Sequence, residues 1–206
     1  MSKDILYLAS SSESRKKLLE DIDINFKVVT HNADERAVNL KDDFNSYVLD
    51  IAKEKMKHVD LPNGSEGQII FVLTADTLVY TKDSGTILGK PSDIQDAKRM
   101  LRLLRQEKVK LVTGCCLEKK IFKNNIWQNK HKNHFITVSF VDFYIDEQEL
   151  DLFFKKFPQA LKAAGACMIE DYGQRFCKSI EGSYSNIIGL PLFEIVQALK
   201  QMNFKF

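Results

Sequence analysis

The stretch IIFVLTADTLVY, residues 69–80, decides the fold that we predict for this chain. It is apolar for most of its length and rich in β-branched and aromatic residues, which is typical of a strand buried in a sheet. Asp76 is its only charged residue. An unpaired carboxylate in a buried strand is costly, and a chain keeps one where it serves a metal, a cation or a reaction. The alternative is a structural Asp that hydrogen-bonds a turn at the end of the strand, and this stretch alone leaves both interpretations open.

Strands and helices alternate on both sides of this stretch. The predicted strands are residues 4–9, 26–30, 69–75, 109–117 and 134–144. The predicted helices are residues 15–22, 43–58, 93–104, 146–157 and 191–203, whereas residues 61–67 are a loop and residues 180–191 are irregular. This alternation predicts an α/β fold with a central mixed, twisted sheet flanked by helices. Ligands of such folds bind beyond the carboxyl ends of strands, where we expect Ser10 and Asp76.

Length, charge and cysteine content narrow the class of protein. The chain has 206 residues, enough for one large domain or for two small lobes that share a core. The 30 basic and 28 acidic side chains give a net charge of +2, a balance that speaks against a nucleic-acid polymer or a membrane as the main partner. No run approaches the ~20 apolar residues of a membrane span, and the first residues show no secretion signal. The four cysteines include no C-x-x-C pair, so we expect reduced thiols and a cytoplasmic protein.

The basic stretch KKIFKNNIWQNKHKNH, residues 119–134, is the best candidate for a nucleic-acid surface, because Phe122 and Trp127 lie among its cations. The balanced charge of the whole chain favours a different interpretation, a solvated hairpin.

A Ser-rich turn follows the first predicted strand. Residues 10–16 read SSSESRK, so Ser10, Ser14 and Arg15 lie where a helix begins. Hydroxyl groups, free backbone N–H groups and an Arg at a helix N-terminus suit a phosphate group. The alternative is an N-cap followed by a solvated basic turn. Cations at a helix N-terminus oppose the helix dipole, and we therefore favour phosphate binding.

Three further charged residues complete a possible site. Lys90 lies in GTILGKP, residues 85–91, a stiff loop that is not a Walker A sequence. Glu35 follows the second predicted strand, and Lys55 lies near the apolar face of the helix predicted over residues 43–58. Each alone is typical of a protein surface. Together with Asp76 they would supply carboxylates for a divalent metal and cations for a polyphosphate, which phosphoryl chemistry requires.

These residues, in this order, resemble the Maf family of nucleoside triphosphate pyrophosphatases, also described as septum-formation-inhibitor-like proteins. The matching stretches are LASSSESRKKLL (8–19), DE (34–35), AKEKM (52–56), ADT (75–77), GKP (89–91), TG (113–114) and IEGSYSNIIGLPLFEIVQAL (180–199). The last of these is similar to the family's most recognisable segment. The resemblance spans nearly the whole chain and implies a single domain over residues 1–206, with two lobes, an active-site cleft of the Maf/ITPase type and a homodimer.

The resemblance also implies a reaction and the roles of the residues. A nucleoside triphosphate is hydrolysed to the monophosphate and pyrophosphate with a divalent metal cation, Mg²⁺ or Mn²⁺. Asp76 is the implied proton acceptor and a metal ligand, and Glu35 is a second acidic ligand. The implied phosphate-binding residues are Ser10, Arg15, Lys55 and Lys90.

Three positions are implied to select the base: Ser14, Thr77 and Glu170. The family branch that acts on dTTP and UTP has Arg, Thr and Gln there, and the branch that prefers 7-methyl-GTP has Trp, Gln and Glu, so this chain follows neither. Glu170 favours 7-methyl-GTP, because a carboxylate accepts from the ring donors of methylated guanine and repels the acceptors of uracil. Val109 and Ala163 also depart from the dTTP/UTP branch, and we predict a preference for 7-methyl-GTP.

Two alternatives stay open at this point. Because Ser14 offers no aromatic ring, stacking on the base is weaker or comes from another ring, for which Tyr172 is a candidate only by its proximity in sequence to Glu170. The alternative function is a non-catalytic regulator of cell division that senses a nucleotide or binds a protein. Such a regulator has no physical need of a buried carboxylate among cations, and we therefore favour the enzyme.

Overall fold

A computed structural model of the protein describes residues 3–40 and 43–206. The strands are β1 (Leu6–Leu8), β2 (Phe26–Val28), β3 (Ile69–Thr81), β4 (Val109–Lys123), β5 (Ile126–Phe143) and β6 (Cys177–Glu181). The helices are α1 (Glu13–Asp21), α2 (Phe44–Lys57), α3 (Ile94–Gln106), α4 (Leu150–Lys156), α5 (Tyr184–Ile188) and α6 (Leu192–Gln201). No helix in the part of the chain that the structure describes is both long and apolar enough to cross a lipid bilayer.

The strands form one mixed sheet in the order β2-β1-β3-β4-β5-β6. β1 is parallel to β2 and to β3, with Leu6 opposite Phe26 and Phe71, whereas β5 and β6 are antiparallel. β4 and β5 form a hairpin whose two turn residues, Asn124 and Asn125, have positive φ angles of 53° and 62°, as a type I′ turn requires. The prediction of an α/β fold with a central mixed sheet and flanking helices is confirmed.

The chain divides into two compact units. The first contains the residues up to Thr77, then Thr113–Thr137 and the residues from Gly189 onwards, and the second contains Leu78–Val112 and Val138–Ile188. β3, β4 and β5 each contribute residues to both units. The prediction of a single domain over residues 1–206 is not tested by this division and stays a prediction.

The sheet of the first unit is buried on both faces. α1 and α6 cover one face, where the apolar cluster includes Leu6, Leu8, Leu19, Leu73 and Ile195. α2 covers the other face, where the cluster includes Tyr7, Ala52, Met56, Ile70 and Val72. A strand buried on both faces needs a nearly continuous apolar sequence, because successive side chains point to opposite faces. This explains why residues 69–75 do not alternate between apolar and polar side chains.

The same alternation determines the direction of Asp76. The side chains of Ile70 and Val72 face α2, whereas Ala75 belongs to the cluster on the side of α1 and α6. Asp76 continues the even-numbered series, and its carboxylate therefore points to the face that α2 covers.

The second unit has its own apolar core. It is formed by α3, α4 and parts of the long strands, and it includes Leu88, Leu101, Leu104, Phe143 and Phe153. α3 begins where the sequence predicted, because Asp93 Oδ1 accepts hydrogen bonds of 2.8 Å from the N–H groups of Gln95 and Asp96.

Several predicted boundaries were wrong. The strand predicted to end before Asp76 continues to Thr81, so Asp76 lies inside β3 and not in a turn at its end. The parallel neighbour β1 does end close by, since Leu8 lies opposite Leu73, and Asp76 is just beyond the carboxyl end of that neighbour.

The remaining differences involve long-range pairing. The segment predicted to be irregular, residues 180–191, contains the end of β6 and α5. β6 pairs with β5, which is distant in sequence, so local pattern does not reveal it. The strands predicted over 109–117 and 134–144 extend towards each other to the turn at Asn124 and Asn125, and the helix predicted over 146–157 is α-helical over Leu150–Lys156.

Candidate active site

A buried ion pair joins α2 to β3. Lys55 Nζ lies 2.8 Å from Asp76 Oδ1, and the two side chains are only 8% and 18% exposed. Lys55 is therefore buried on the apolar face of α2, as the sequence indicated. The Asp76 carboxylate in the apolar strand is therefore paired with a cation. A cationic partner is one of the reasons that we gave for keeping a carboxylate in such a strand.

Two close contacts hold α2 against the sheet beside this pair. Thr74 Oγ1 donates a hydrogen bond of 2.7 Å to the carbonyl oxygen of Ala52. Lys55 lies three residues after Ala52 on one helix face and Asp76 lies two residues after Thr74 on one strand face, so this bond sets the register of the ion pair. Gly114 on β4 permits the close approach, because a Cβ there would lie 2.5 Å from the backbone of α2.

Glu35 is the third member of the cluster. Its Oε1 lies 3.2 Å from Lys55 Nζ, so the ammonium group bridges the carboxylates of Glu35 and Asp76. Glu35 begins a short 3₁₀ turn that Asp34 caps, since Asp34 Oδ1 accepts a 3.1 Å hydrogen bond from the N–H of Arg36. The two acidic residues of the DE motif therefore differ in role. The Asp34 carboxylate caps its own 3₁₀ turn, whereas the Glu35 carboxylate pairs with Lys55 on α2.

The surroundings of Asp76 make it a stronger base than an exposed carboxylate. Burial is the main effect and raises the pKa of Asp76. Lys55, by its charge and its hydrogen bond, and Arg15, by its charge, act in the opposite direction, while Glu35 raises the pKa further. A carboxylate with a raised pKa that still has cationic partners is suited to take a proton from water.

Arg15 connects the Ser-rich turn to the strand that carries Asp76. It is buried, and burial lowers the pKa of its guanidinium. Its hydrogen bonds go to the carbonyl oxygens of Gly189 (2.9 Å) and Ala75 (2.8 Å) and to the hydroxyls of Ser10 (3.3 Å) and Thr77 (3.1 Å). These bonds use four of the five N–H groups of a guanidinium. Arg15 therefore acts on the site mainly through its charge and through the groups that it holds.

The Ser-rich turn caps the N-terminus of α1, as its alternative interpretation, an N-cap followed by a solvated basic turn, requires. Ser12 Oγ accepts a 3.4 Å hydrogen bond from the N–H of Arg15, and Lys16 Nζ pairs with Glu13 at 2.7 Å. Ser10 is buried, and its hydroxyl accepts from the N–H of Ser12 at 3.3 Å. The basic residues of the first turn thus have partners within the protein, and phosphate binding by this turn stays a prediction.

The predicted specificity residue Thr77 belongs to the same network. Its hydroxyl lies 3.0 Å from the hydroxyl of Thr113 and 3.4 Å from the carbonyl oxygen of Gly189. Thr113 and Gly189 were not singled out as site residues, although both lie in stretches that carry the family resemblance. Ser14, the second specificity residue of this unit, is half-buried in the first turn of α1.

The other predicted site residues, Lys90 and Glu170, belong to the second unit, and both are exposed. The loop of Lys90 is held by a 3.0 Å hydrogen bond from the N–H of Gly165 to the carbonyl oxygen of Gly89. The first unit thus brings together Ser10, Arg15, Glu35, Lys55, Asp76 and Thr77.

Tyr172, the candidate ring for stacking on a base, has another partner. Its ring stacks on Phe157 with 3.8 Å between the centroids, and its hydroxyl accepts a hydrogen bond from Arg175. Tyr172 packs against the core of the second unit, so its ring already has partners within the protein, and stacking on a base stays a prediction.

The two aromatic residues of the basic stretch also have partners within the protein. Phe122 and Trp127 pack edge to face at 5.0 Å, and Trp127 Nε1 donates to the carbonyl oxygen of Pro62 at 2.9 Å. The stretch forms the tip of the β4–β5 hairpin, which agrees with the favoured interpretation of a hairpin.

The cluster offers a divalent metal two carboxylate ligands, those of Asp76 and Glu35. Within residues 3–40 and 43–206, no group of three or more His, Cys, Asp or Glu side chains is close enough to hold a metal ion. Asp76 and Glu35 meet at one ammonium group, and Mg²⁺ commonly binds through one or two carboxylates together with substrate phosphates and water. The donor set therefore fits a metal that arrives with the substrate.

Comparison with known proteins decides the family. The family model for Maf-like proteins matches residues 5–202. The chain belongs to this family. A dTTP/UTP pyrophosphatase of Fusobacterium nucleatum subsp. nucleatum is 31% identical over 200 residues, which cover 97% of this chain and 96% of that protein. A dTTP/UTP pyrophosphatase of Acholeplasma laidlawii is 33% identical over 201 residues, 97% of each chain, and one of Ruminiclostridium cellulolyticum is 32% identical over 200 residues, also 97% of each.

Membership of the Maf family confirms the resemblance and the predicted class of enzyme, a pyrophosphatase of nucleoside triphosphates. The predicted preference for 7-methyl-GTP finds no support, because these relatives are named for dTTP and UTP. That preference depended largely on Glu170, and a single exposed carboxylate is a weak guide to which base a site accepts.

Proposed function

We propose that this chain hydrolyses a nucleoside triphosphate to the monophosphate and pyrophosphate, with Asp76 as the group that activates the attacking water. The observation that carries the proposal is the largely buried Asp76 carboxylate, which has a raised pKa and lies 2.8 Å from the ammonium group of the buried Lys55. A general base works best when its pKa has been moved towards the working pH and its position is fixed.

The chemical step assigns a task to each member of the cluster. Asp76 takes a proton from water as the water oxygen attacks the α-phosphorus. A P–O bond forms to that oxygen, the bond from the α-phosphorus to the oxygen bridging the β-phosphate breaks, and pyrophosphate leaves with the electron pair. Lys55 keeps the carboxylate ionised and supplies positive charge where the phosphoryl oxygens gain negative charge. The other proposed phosphate-binding residues are Ser10, Arg15 and Lys90.

Asp76 and Glu35 are the residues that would hold a Mg²⁺ or Mn²⁺ ion. Such an ion, when bound, would neutralise phosphate charge and polarise the reacting oxygens. Lys55 pairs with both carboxylates, so it keeps them oriented towards a common point before the substrate arrives.

The first substrates to test are dTTP and UTP. Relatives that share about a third of their sequence with this chain are named for these two nucleotides, and Thr77 is the residue that the dTTP/UTP branch carries at its position. Glu170 departs from that branch, which has Gln. If Glu170 contacts the base, Glu170→Gln should raise kcat/KM for dTTP about tenfold, since the amide offers uracil and thymine a donor as well as an acceptor.

The decisive experiment measures pyrophosphate release from dTTP, UTP, CTP, GTP, ATP and 7-methyl-GTP, with Mg²⁺ or Mn²⁺. Wild type should turn over one or two of them, and Asp76→Asn should lower kcat by at least about a thousandfold. Asp21→Asn is the matched control, because Asp21 is a carboxylate of the same unit that pairs with Lys17 at the end of α1. It should keep wild-type kcat.

Two results would overturn the proposal. A folded wild type that binds nucleotides and hydrolyses none would favour the non-catalytic regulator. Equal activity of Asp76→Asn and wild type would remove Asp76 from the chemistry. The homodimer and the cytoplasmic location stay predictions, and sedimentation of the purified protein tests the first of them.

A further inference from the structure

A glycine just before α6 holds the arginine that contacts both chain neighbours of Asp76. Gly189 follows α5 and has a φ angle of 121°, a backbone conformation that residues other than glycine rarely adopt. Its carbonyl oxygen accepts a 2.9 Å hydrogen bond from Arg15 Nε and a 3.4 Å hydrogen bond from the hydroxyl of Thr77. One carbonyl group therefore joins a side chain of α1 to a side chain of β3.

Glycine at this position serves the backbone and not the need for space. A Cβ there would lie 3.8 Å from Arg15 Nε and 3.9 Å from Thr77 Oγ1, which are ordinary van der Waals distances. The next residue, Leu190, is completely buried among the apolar side chains on the side of α1 and α6. The buried leucine fixes the path of the chain, and the backbone conformation of Gly189 directs its carbonyl group towards Arg15.

The side chain of Arg15 takes the place of a strand at the end of β1. Near that end, the carbonyl oxygen of Leu73 accepts from the N–H of Ala9 at 2.9 Å. Ala75 lies two residues further along β3, so its carbonyl group points to the same side. There Arg15 Nη1 donates to the carbonyl oxygen of Ala75 at 2.8 Å. The guanidinium group thus satisfies a carbonyl group of β3 beyond the end of the neighbouring strand.

The second contact of Arg15 with β3 lies on the other side of Asp76. Arg15 Nη2 donates to the hydroxyl of Thr77 at 3.1 Å, and Ala75 and Thr77 are the residues that flank Asp76. Successive side chains of a strand point to opposite faces, so the side chain of Thr77 is on the face opposite to the Asp76 carboxylate. Arg15 therefore holds the strand on both sides of Asp76 without occupying its carboxylate.

We infer that Gly189 and Arg15 form a positioning clamp, in which the Gly189 carbonyl group holds the guanidinium group and the guanidinium group fixes the backbone on both sides of Asp76. The inference rests on the proposed function, because the clamp would set the position of the Asp76 carboxylate relative to the water that it deprotonates. Neither residue of the clamp exchanges a proton in the step. A general base has to be held to within about 0.5 Å of its productive position.

The test breaks the clamp at each of its two members. Gly189→Ala places an L-residue at a positive φ angle, so the carbonyl group should turn away from Arg15. Arg15→Lys keeps the positive charge and loses the planar group that donates to Gly189 and Ala75 together. For the nucleotide that wild type hydrolyses, each substitution should lower kcat about 10- to 100-fold. The affinity for an α,β-methylene triphosphate analogue, measured by calorimetry, should stay within about threefold of wild type.

The double variant shows whether Gly189 acts through Arg15. Its kcat should lie within about threefold of that of Arg15→Lys alone, because the second substitution breaks a clamp that is already broken. If the two losses multiply, the residues act independently, and the inference is overturned.

The pH dependence gives a readout that a mere loss of stability would not move. The charged groups that act on Asp76 come from three elements: Lys55 on α2, Arg15 on α1 and Glu35 in the 3₁₀ turn. The charge of Arg15 lowers the pKa of Asp76, so displacement of the guanidinium group in Gly189→Ala should move the acid limb of the pH–kcat/KM profile to higher pH. An unmoved limb would show that the guanidinium group has stayed in place, and would overturn the role of Gly189.

The matched control is Gly67→Ala. Gly67 belongs to the same unit and has a positive φ angle of 79° in the loop before β3, so the substitution imposes the same kind of strain outside the clamp. It should keep wild-type kcat and the wild-type acid limb. If Gly189→Ala does not fold, Arg15→Lys decides: full kcat, or a loss of analogue affinity without a loss of kcat, would overturn the clamp.

The outcomes separate this inference from the function on which it rests. Absence of turnover by wild type sinks the proposed function. An active wild type together with full kcat in a folded Gly189→Ala overturns the clamp alone and leaves Asp76 as the base.

Discussion

Replacing Lys55 by Met should destabilise the protein more than replacing Asp76 by Asn, and the double variant should be more stable than Lys55→Met alone. Lys55 Nζ and Asp76 Oδ1 are 2.8 Å apart, and both side chains are largely buried. Two unit charges at this separation attract each other by about 6 kcal/mol at an effective dielectric constant of ~20. The cost of removing both groups from water offsets much of this attraction.

The two single variants leave different groups behind. Lys55→Met leaves a buried carboxylate that has lost its closest cation, and such a charge costs about 3–5 kcal/mol. Asp76→Asn leaves Lys55 with Glu35 at 3.2 Å and with an amide oxygen, so its cost should be about 1 kcal/mol. In the double variant neither charge remains, and adding Asp76→Asn to Lys55→Met should recover about 2 kcal/mol.

The pH dependence follows from the same carboxylate. Lys55 lowers the pKa of Asp76 by its charge and its hydrogen bond, so Lys55→Met raises the pKa of the folded state further above the unfolded value. An acid with a raised folded pKa opposes folding when it is ionised. The penalty is therefore absent below the unfolded pKa, grows as pH rises and is complete above the folded pKa. Lys55→Met should lose less stability at pH 5 than at pH 8, by up to about 1.4 kcal/mol for each unit by which the substitution raises the folded pKa of Asp76 within this range.

Urea unfolding of wild type, both single variants and the double variant at pH 5 and pH 8 measures these differences. Lys53→Met is the control, because Lys53 lies on the same helix and pairs with Asp50 while both are partly exposed. It should cost less than about 1 kcal/mol. The reasoning is refuted if Lys55→Met matches Lys53→Met at pH 8, or if the double variant is no more stable than Lys55→Met.

Three further predictions concern the same region. The acid limb of the pH–kcat/KM profile should move to higher pH in Lys55→Gln, because Asp76 must be ionised to act as a base and Lys55 lowers its pKa; an unmoved limb would assign that limb to another group. Gly114→Ala should lower the free energy of unfolding by about 1–3 kcal/mol in urea titrations, because the new Cβ would lie 2.5 Å from the backbone of α2; wild-type stability would show that the helix can move away. Cys115 and Cys116 are buried, and burial raises the pKa of both thiols, that of Cys116 to about 12, so neither should react with a disulfide reagent at pH 8 until urea unfolds the protein; rapid reaction in the native state would contradict their burial.

Two suggestions from the sequence lack support for an identifiable physical reason. The preference for 7-methyl-GTP came from comparing single residues such as Glu170, and the relatives named for dTTP and UTP do not support it. Tyr172 was suggested for stacking from its place in the sequence; its ring packs on Phe157, and stacking on a base stays a prediction. In both cases the inference needed the direction of a side chain and its surroundings, which a local pattern of residues does not contain.

The sequence by itself determined the α/β class, the buried strand that carries Asp76, the helix that carries Lys55 and the family. These follow from local propensity, from the period of apolar residues and from an ordered set of short motifs. Only the tertiary structure decided that Lys55 bridges Asp76 and Glu35, that Arg15 gives four hydrogen bonds to the protein and that Thr74 sets the register of α2. The physical reason is that hydrogen bonds and ion pairs depend on distances between side chains that are remote in sequence. Those distances exist only after the apolar faces of the strands and helices have packed together.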